Sequence, residues 1–124
     1  MTLSGPPTAL ERILVVEDER DIQIVARLAL VELGGLEVEI DASGRQAIAV
    51  AEEFAPQMIF ISAGFDAHRE DDLGQLGLVE DDYAWITRQL VALANRHAQG
   101  RIVSCLEGGY NLSALARSVA AHLR

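Results

Sequence analysis

A chain of 124 residues, half of them hydrophobic and 23% charged, has the length of one soluble domain and enough apolar material for a core. Its net charge of -9 excludes nonspecific attraction to nucleic-acid phosphates or to anionic lipid. No apolar run is long enough to span a bilayer and the amino end has no secretory apolar region, so a cytoplasmic location is expected.

Residues 1–10, with Ser4-Gly5-Pro6-Pro7, read as a flexible leader. Arg12-Ile13-Leu14-Val15-Val16 reads as a short buried strand with Glu17 and Asp18 at its carboxyl end. Helical spacing runs from Asp21 to Leu33 through Ile22, Val25 and Leu28, and Gly34-Gly35 stops it. Leu36 to Ile40 alternates as a half-exposed edge strand does. Ser43 is placed to cap a helix from Arg45 to Phe54, closed by Pro56. Met58 to Ile61 is apolar without a break, as in a parallel strand covered on both faces, and leads into Ser62-Ala63-Gly64-Phe65-Asp66-Ala67-His68. The acid- and glycine-rich connection to Leu78 is long and is expected to be a mobile loop. Val79 to Ala98 is the strongest helix, with Tyr83, Ile86, Leu90, Leu93 and Ala94 on one face and Gly100 after it. Arg101 to Leu106 is a fourth strand, and Asn111 caps a last helix over Leu112–Leu123. The only cysteine, Cys105, lies in that strand; it excludes an internal disulfide and reads as a small buried hydrophobe.

The βαβαβαβα order predicts a three-layer, doubly wound parallel sheet over residues 11–124, flavodoxin- or receiver-like, with strand order 2-1-3-4. Sites in such sheets form past the carboxyl ends of strands, which directs attention to Glu17, Asp18, Ser62, Asp66, His68 and Tyr110. The unpaired edge of the fourth strand offers a surface for a homodimer.

Two family resemblances meet in the third strand. Residues 12–58 resemble the amino-terminal half of a response-regulator receiver domain, through Ile13-Leu14-Val15-Val16-Glu17-Asp18-Glu19, Leu36-Glu37-Val38-Glu39 and Gly44-Arg45-Gln46-Ala47. The resemblance implies Mg2+ at Glu17 and Asp18, a residue choice that suits this ion. It places the phosphoacceptor position at Ser62, which has no carboxylate, so phosphorelay chemistry is not expected. Residues 59–124 resemble the carboxy-terminal part of zinc-dependent histone deacetylases and acetylpolyamine amidohydrolases, with their arginase-like fold. The match rests on Ile61-Ser62-Ala63-Gly64-Phe65-Asp66-Ala67-His68, Leu73-Gly74-Gln75-Leu76 and Leu106-Glu107-Gly108-Gly109-Tyr110-Asn111-Leu112. It implies that Asp66 is a zinc ligand and that Tyr110 donates to the developing oxyanion. Beyond the aspartate matched by Asp66, in Asp66-Ala67-His68, the family's separate Asp-x-His ligand pair and its His-His acid/base pair do not occur: His97 and His122 are solitary, and no two histidines adjoin.

The sequence therefore reads as a chimera, engineered or fused, without native catalytic activity. No cofactor is expected beyond weak Mg2+ or Zn2+ at Glu17, Asp18 and Asp66. The alternatives are a pseudo-receiver that binds a protein partner, and a residual zinc-dependent deacetylase-type hydrolase. Each candidate has a plainer role: Glu17 and Asp18 a solvated strand end, Asp66 and His68 a loop, Gly108-Gly109 a tight turn rather than an anion cradle, and Tyr83 and Trp85 core and rim.

Overall fold

The computed structural model describes residues 9–124, so the leader expected over residues 1–10 lies, up to residue 8, outside the described residues. The chain forms two compact units, one ending at Phe54 and one spanning Ala55–Arg124.

In the first unit, β1 (Arg12–Val16) and β2 (Glu37–Asp41) pair in parallel, Arg12 beside Glu37 through Val16 beside Asp41. The pairing runs past both ends: Glu37 N–H donates to the Glu11 carbonyl at 2.8 Å and Glu17 N–H to the Asp41 carbonyl at 3.0 Å. The crossover is α1 (Arg20–Arg27), which continues into a π-helical segment, Leu28–Leu33. The expected glycine stop is present: Gly35 takes φ +67°, and Gly35 and Leu36 donate back to the Val31 and Leu30 carbonyls at 2.9 Å each. In α2 (Ala47–Phe54), Phe54 lies 4.6 Å beneath the Arg12 guanidinium. None of this unit's described residues is fully buried, so β1 is half-buried rather than the buried strand its composition implied.

In the second unit, β3 (Ile59–Ala63) and β4 (Ile102–Leu106) pair in parallel, Ile59 beside Ile102 through Ala63 beside Leu106. The crossover helix α3 (Glu80–His97) is started by the Asp82 carboxylate, which accepts the Val79 N–H at 2.8 Å. It ends at Gln99 and Gly100, both with positive φ. In α4 (Leu112–Leu123), Asn111 is the cap expected: its Oδ1 accepts the Ala114 N–H at 2.9 Å. The core joins Ala63 and Phe65 to Tyr83 of α3, with Ile61, Ala67, Leu78, Leu115 and Val119 around them. Both helices thus cover one face of the β3–β4 pair.

Three expectations are corrected here. The four described strands pair as β1–β2 and β3–β4, two separate sheets, and not as one sheet in the order 2-1-3-4. Apolar runs determine where strands form but carry no information about which strands lie side by side. As a consequence β3 is not covered on both faces: Ile59, Ile61 and Ala63 turn inward while Phe60 is 70% exposed and Ser62 is exposed. Cys105, beside Ser62 in register, is exposed as well and is not a core residue.

Candidate active-site loops

The loops after β3 and β4 continue the pairing of their strands. Glu107 N–H donates to the Ala63 carbonyl at 3.0 Å, and Phe65 N–H to the Gly108 carbonyl at 2.8 Å. This rung brings Asp66 against the Gly108-Gly109 turn. A Cβ on Gly108 would stand 2.7 Å from Asp66 Oδ1 and 2.9 Å from its Cγ, closer than carbon packs. One on Gly74 would stand 1.7 Å from the Asp66 carbonyl oxygen. Gly109, at φ +146°, adopts a conformation open mainly to glycine. The glycines that read as a tight turn therefore also make room for one carboxylate.

The connection expected to be mobile is tied at several points. Arg69 N–H donates to the Leu78 carbonyl at 2.8 Å and Leu78 N–H to the Ala67 carbonyl at 3.0 Å. Asp71, 3% exposed, holds the two loops together. Its Oδ2 accepts the N–H groups of Tyr110 at 2.7 Å and Asn111 at 3.2 Å, while its Oδ1 accepts that of Leu73 at 2.9 Å. The bond from Tyr110, with those from Leu73 and Asn111, keeps the Asp71 carboxyl below its ordinary range against the opposing effect of burial. Asn111 Nδ2 returns a bond to the Glu70 carbonyl at 3.1 Å.

His68 is fully buried. Its Nδ1 accepts the Glu70 N–H at 3.1 Å, which leaves the neutral ring's proton on Nε2, 3.1 Å from Glu80 Oε1. Arg117 Nε donates to that same oxygen at 2.6 Å, and its guanidinium also bonds Glu70 and Ser113. Arg117 brings the Glu80 carboxyl down to about 2, and Glu80 in turn raises the Arg117 guanidinium. His122 spans two hydroxyls. Thr87 donates to the Tyr83 carbonyl at 2.7 Å, so its oxygen accepts the His122 Nδ1–H at 2.7 Å, and His122 Nε2 accepts from Ser104 at 2.8 Å. Tyr83, read as core, is 8% exposed, packs its ring at 44° to that of Phe65 with centroids 5.1 Å apart and donates to the Gly64 carbonyl at 3.2 Å. Its phenol is raised, first by burial and then by the charge of Asp66. Trp85, read as core or rim, is 56% exposed.

Of the sequence-derived candidates, Asp66 packs on Gly108, next to Gly109 and Tyr110 in the second unit, whereas His68 turns to Glu70 and Glu80. Ser62 is on the outward face of β3. Glu17 and Asp18 belong to the first unit, where Glu17 Oε1 accepts the Glu19 N–H at 3.0 Å and the Glu17 carbonyl accepts from Gln23 Nε2 at 2.5 Å. The sequence reading missed Asp71, Glu80 and Arg117. Asp71 carries the same signal as its neighbour Asp72, and only the fold separates the buried acid from the exposed one.

These features define a class: an α/β protein whose parallel strands end in two glycine-rich loops closing around an aspartate. A family model described as the histone deacetylase domain matches residues 35–124, and the chain belongs to that family. It is 52% identical over 71 residues to type-2 histone deacetylase 1 of Dictyostelium discoideum, covering 57% of this chain and 5% of that protein. It is 48% identical over 63 residues to a probable deacetylase of Archaeoglobus fulgidus, covering 51% of this chain and 18% of that protein. Among solved structures, the histone deacetylase Clr3 is similar with TM-score 0.59 and 30% identity, over 90% of this chain and 15% of that one. The HDA15 HD domain is similar with TM-score 0.57 and 36% identity, over 62% and 20%. The chain thus spans a small fraction of the proteins it resembles. The family match begins at Gly35, so it also takes in part of the segment over which a receiver-like half was expected.

Zinc, which the deacetylase resemblance implies, takes three protein ligands at a catalytic site. Among the described residues, the set of acid and imidazole atoms close enough to hold an ion is His68, Glu70 and Glu80, and Asp66 is not in it. Arg117 already supplies the positive charge between those two glutamates. His68 and His122 have both ring nitrogens engaged. Among the described residues, none completes a catalytic zinc site around Asp66.

Proposed function

We propose that the second unit is the aspartate-and-tyrosine portion of a zinc-dependent deacetylase centre. Asp66 would supply one ligand to a metal bound there, and Tyr110 would offer its hydroxyl to the carbonyl oxygen of an N-acetylated amine such as acetyl-lysine. The other zinc ligands and the acid/base histidines are not among this chain's residues, so the chain by itself carries the site only in part and does not hydrolyse acetyl-lysine. The observation that carries this reading is the packing of the Asp66 carboxylate on Gly108, which ties the proposed ligand to the loop bearing Tyr110. Membership of the deacetylase family supports it in preference to a pseudo-receiver.

Titration calorimetry with Zn2+ tests the assignment. Weak binding that disappears in Asp66→Asn and survives in Glu17→Gln is expected; heat unaffected by Asp66→Asn would remove Asp66 from the metal's ligands.

A second reading concerns the first unit. The division at Phe54 and Ala55 falls close to the junction between the two sequence resemblances. That favours a receiver-like segment joined to a deacetylase segment, against which stands the family match beginning at Gly35.

A further inference from the structure

We propose that Asp71 is the positioning residue of this site, fixing the backbone of Tyr110 relative to Asp66. The inference rests on the reading of Asp66 and Tyr110 given above, and the geometry singles out this acid among its neighbours. The adjoining acids are Glu70, whose side chain is 45% exposed and bonded to Arg117, and Asp72, which is exposed. Asp71 alone of the three is buried, at 3% exposure, and its two oxygens accept three backbone N–H groups.

The distribution of those bonds matters. Oδ1 faces its own loop through Leu73, in the segment that follows Asp66, and Oδ2 faces the opposite loop through Tyr110 and Asn111. One carboxylate therefore bridges the segment bearing the proposed metal ligand and the segment bearing the proposed oxyanion donor. The bridge is needed because Tyr110 has little else to hold it. Its residue is 60% exposed, and it follows Gly108-Gly109, which have no side chains to pack. Asn111, next in the chain, uses its side chain on the first turn of α4 and on the Glu70 carbonyl. A buried carboxylate also suits this place electrostatically, because it lies beside the N–H groups that open α4.

Asp71→Asn keeps the size of the side chain and breaks the pattern. An amide cannot present acceptor oxygens on both sides, so one loop must face an N–H group. Loss of a charged, buried acceptor predicts hydrogen exchange about tenfold faster, or more, at Tyr110 and Asn111. The test is residue-resolved amide exchange and chemical shift in the whole chain, for wild type, Asp71→Asn and the exposed control Asp72→Asn. The expected result is faster exchange and shifted signals confined to Leu73 with the loop around residue 71 and to Gly108, Gly109, Tyr110 and Asn111, with Leu93 and Ala94 unchanged and Asp72→Asn like wild type. A uniform loss of protection that includes Leu93 and Ala94 would make Asp71 a general stability residue and overturn the proposal, as would an unaltered Tyr110. Should Asp71→Asn not fold, the wild-type spectrum still decides: the Tyr110 amide proton must move as the Asp71 carboxyl is protonated, and a Tyr110 signal blind to that event refutes the bridge. Spectra with added Zn2+ keep the two claims apart, since shifts at Asp66 that vanish in Asp66→Asn report the metal, whereas the Tyr110 amide reports the positioning in metal-free protein.

Discussion

The two units use the same elements, a parallel strand pair with a helical crossover, and differ in how they are closed. The second has a buried centre of Phe65, Tyr83, Leu93, Ala94 and Ala114, together with the buried polar groups His68, Asp71 and Ser118. The first has no fully buried described residue, and Ile22, Ile24, Val25 and Leu28 on its helix are each more than half exposed. Equal numbers of strands thus give unequal cores. The second unit adds a core in which α3 and α4 both reach Phe65 and Ala63, through Tyr83, Leu115 and Val119, and a loop fastened by the buried Asp71.

The largest test of this contrast is truncation in each unit. Leu93, 2% exposed, packs fully, and Leu93→Ala should cost about 2–5 kcal/mol in chemical denaturation. Ile24 is 56% exposed, and Ile24→Ala should change stability by about 0.5 kcal/mol or less. Equal losses would erase the distinction.

A smaller effect is expected at the loops. Gly108→Ala forces a methyl group against the Asp66 carboxylate and should cost about 1–3 kcal/mol. Its amide shifts should centre on Asp66 and Phe65; a variant with wild-type shifts there would contradict the close packing.

Acid should act on the second unit through Glu80. Its carboxyl lies at about 2 in the folded chain against an ordinary 4.5. A carboxyl lowered by folding stabilises fully above its unfolded value and loses that contribution as pH falls through its folded one. The melting temperature should therefore be insensitive to this group above pH 4.5 and decline toward pH 2. Arg117→Gln should flatten that decline, and an identical acid profile in the variant would show that Arg117 is not the cause.

The smallest effect concerns Cys105. Being exposed, it should react with a thiol reagent in native protein without denaturant, and Cys105→Ser should leave stability within about 0.5 kcal/mol. A thiol that reacts only on unfolding would show that the outer face of β3 and β4 is covered.

Much of this was legible in the sequence because the signals are local. Helix α3, the Asn111 cap, the glycine stops and all four strands follow from periodicity and capping chemistry, which act within a few residues. The Asp66 and Gly108-Gly109-Tyr110 motifs were also readable. Strand order was not, since it depends on pairing between distant segments, and an apolar run such as Met58 to Ile61 looks alike in a covered strand and a half-open one. For the same reason Cys105 read as core. Asp71 and the His68–Glu80–Arg117 linkage lay hidden in an acid-rich stretch, because burial rather than residue type marks them out.

The most direct measurement is zinc-dependent release of acetate from an acetyl-lysine peptide by the purified chain. A site that holds Asp66 and Tyr110 without the remaining ligands predicts no turnover above the metal alone, and the same result for Asp66→Ala. Zinc-dependent turnover abolished by Asp66→Ala would contradict the account, because it would mean that this chain completes the site by itself.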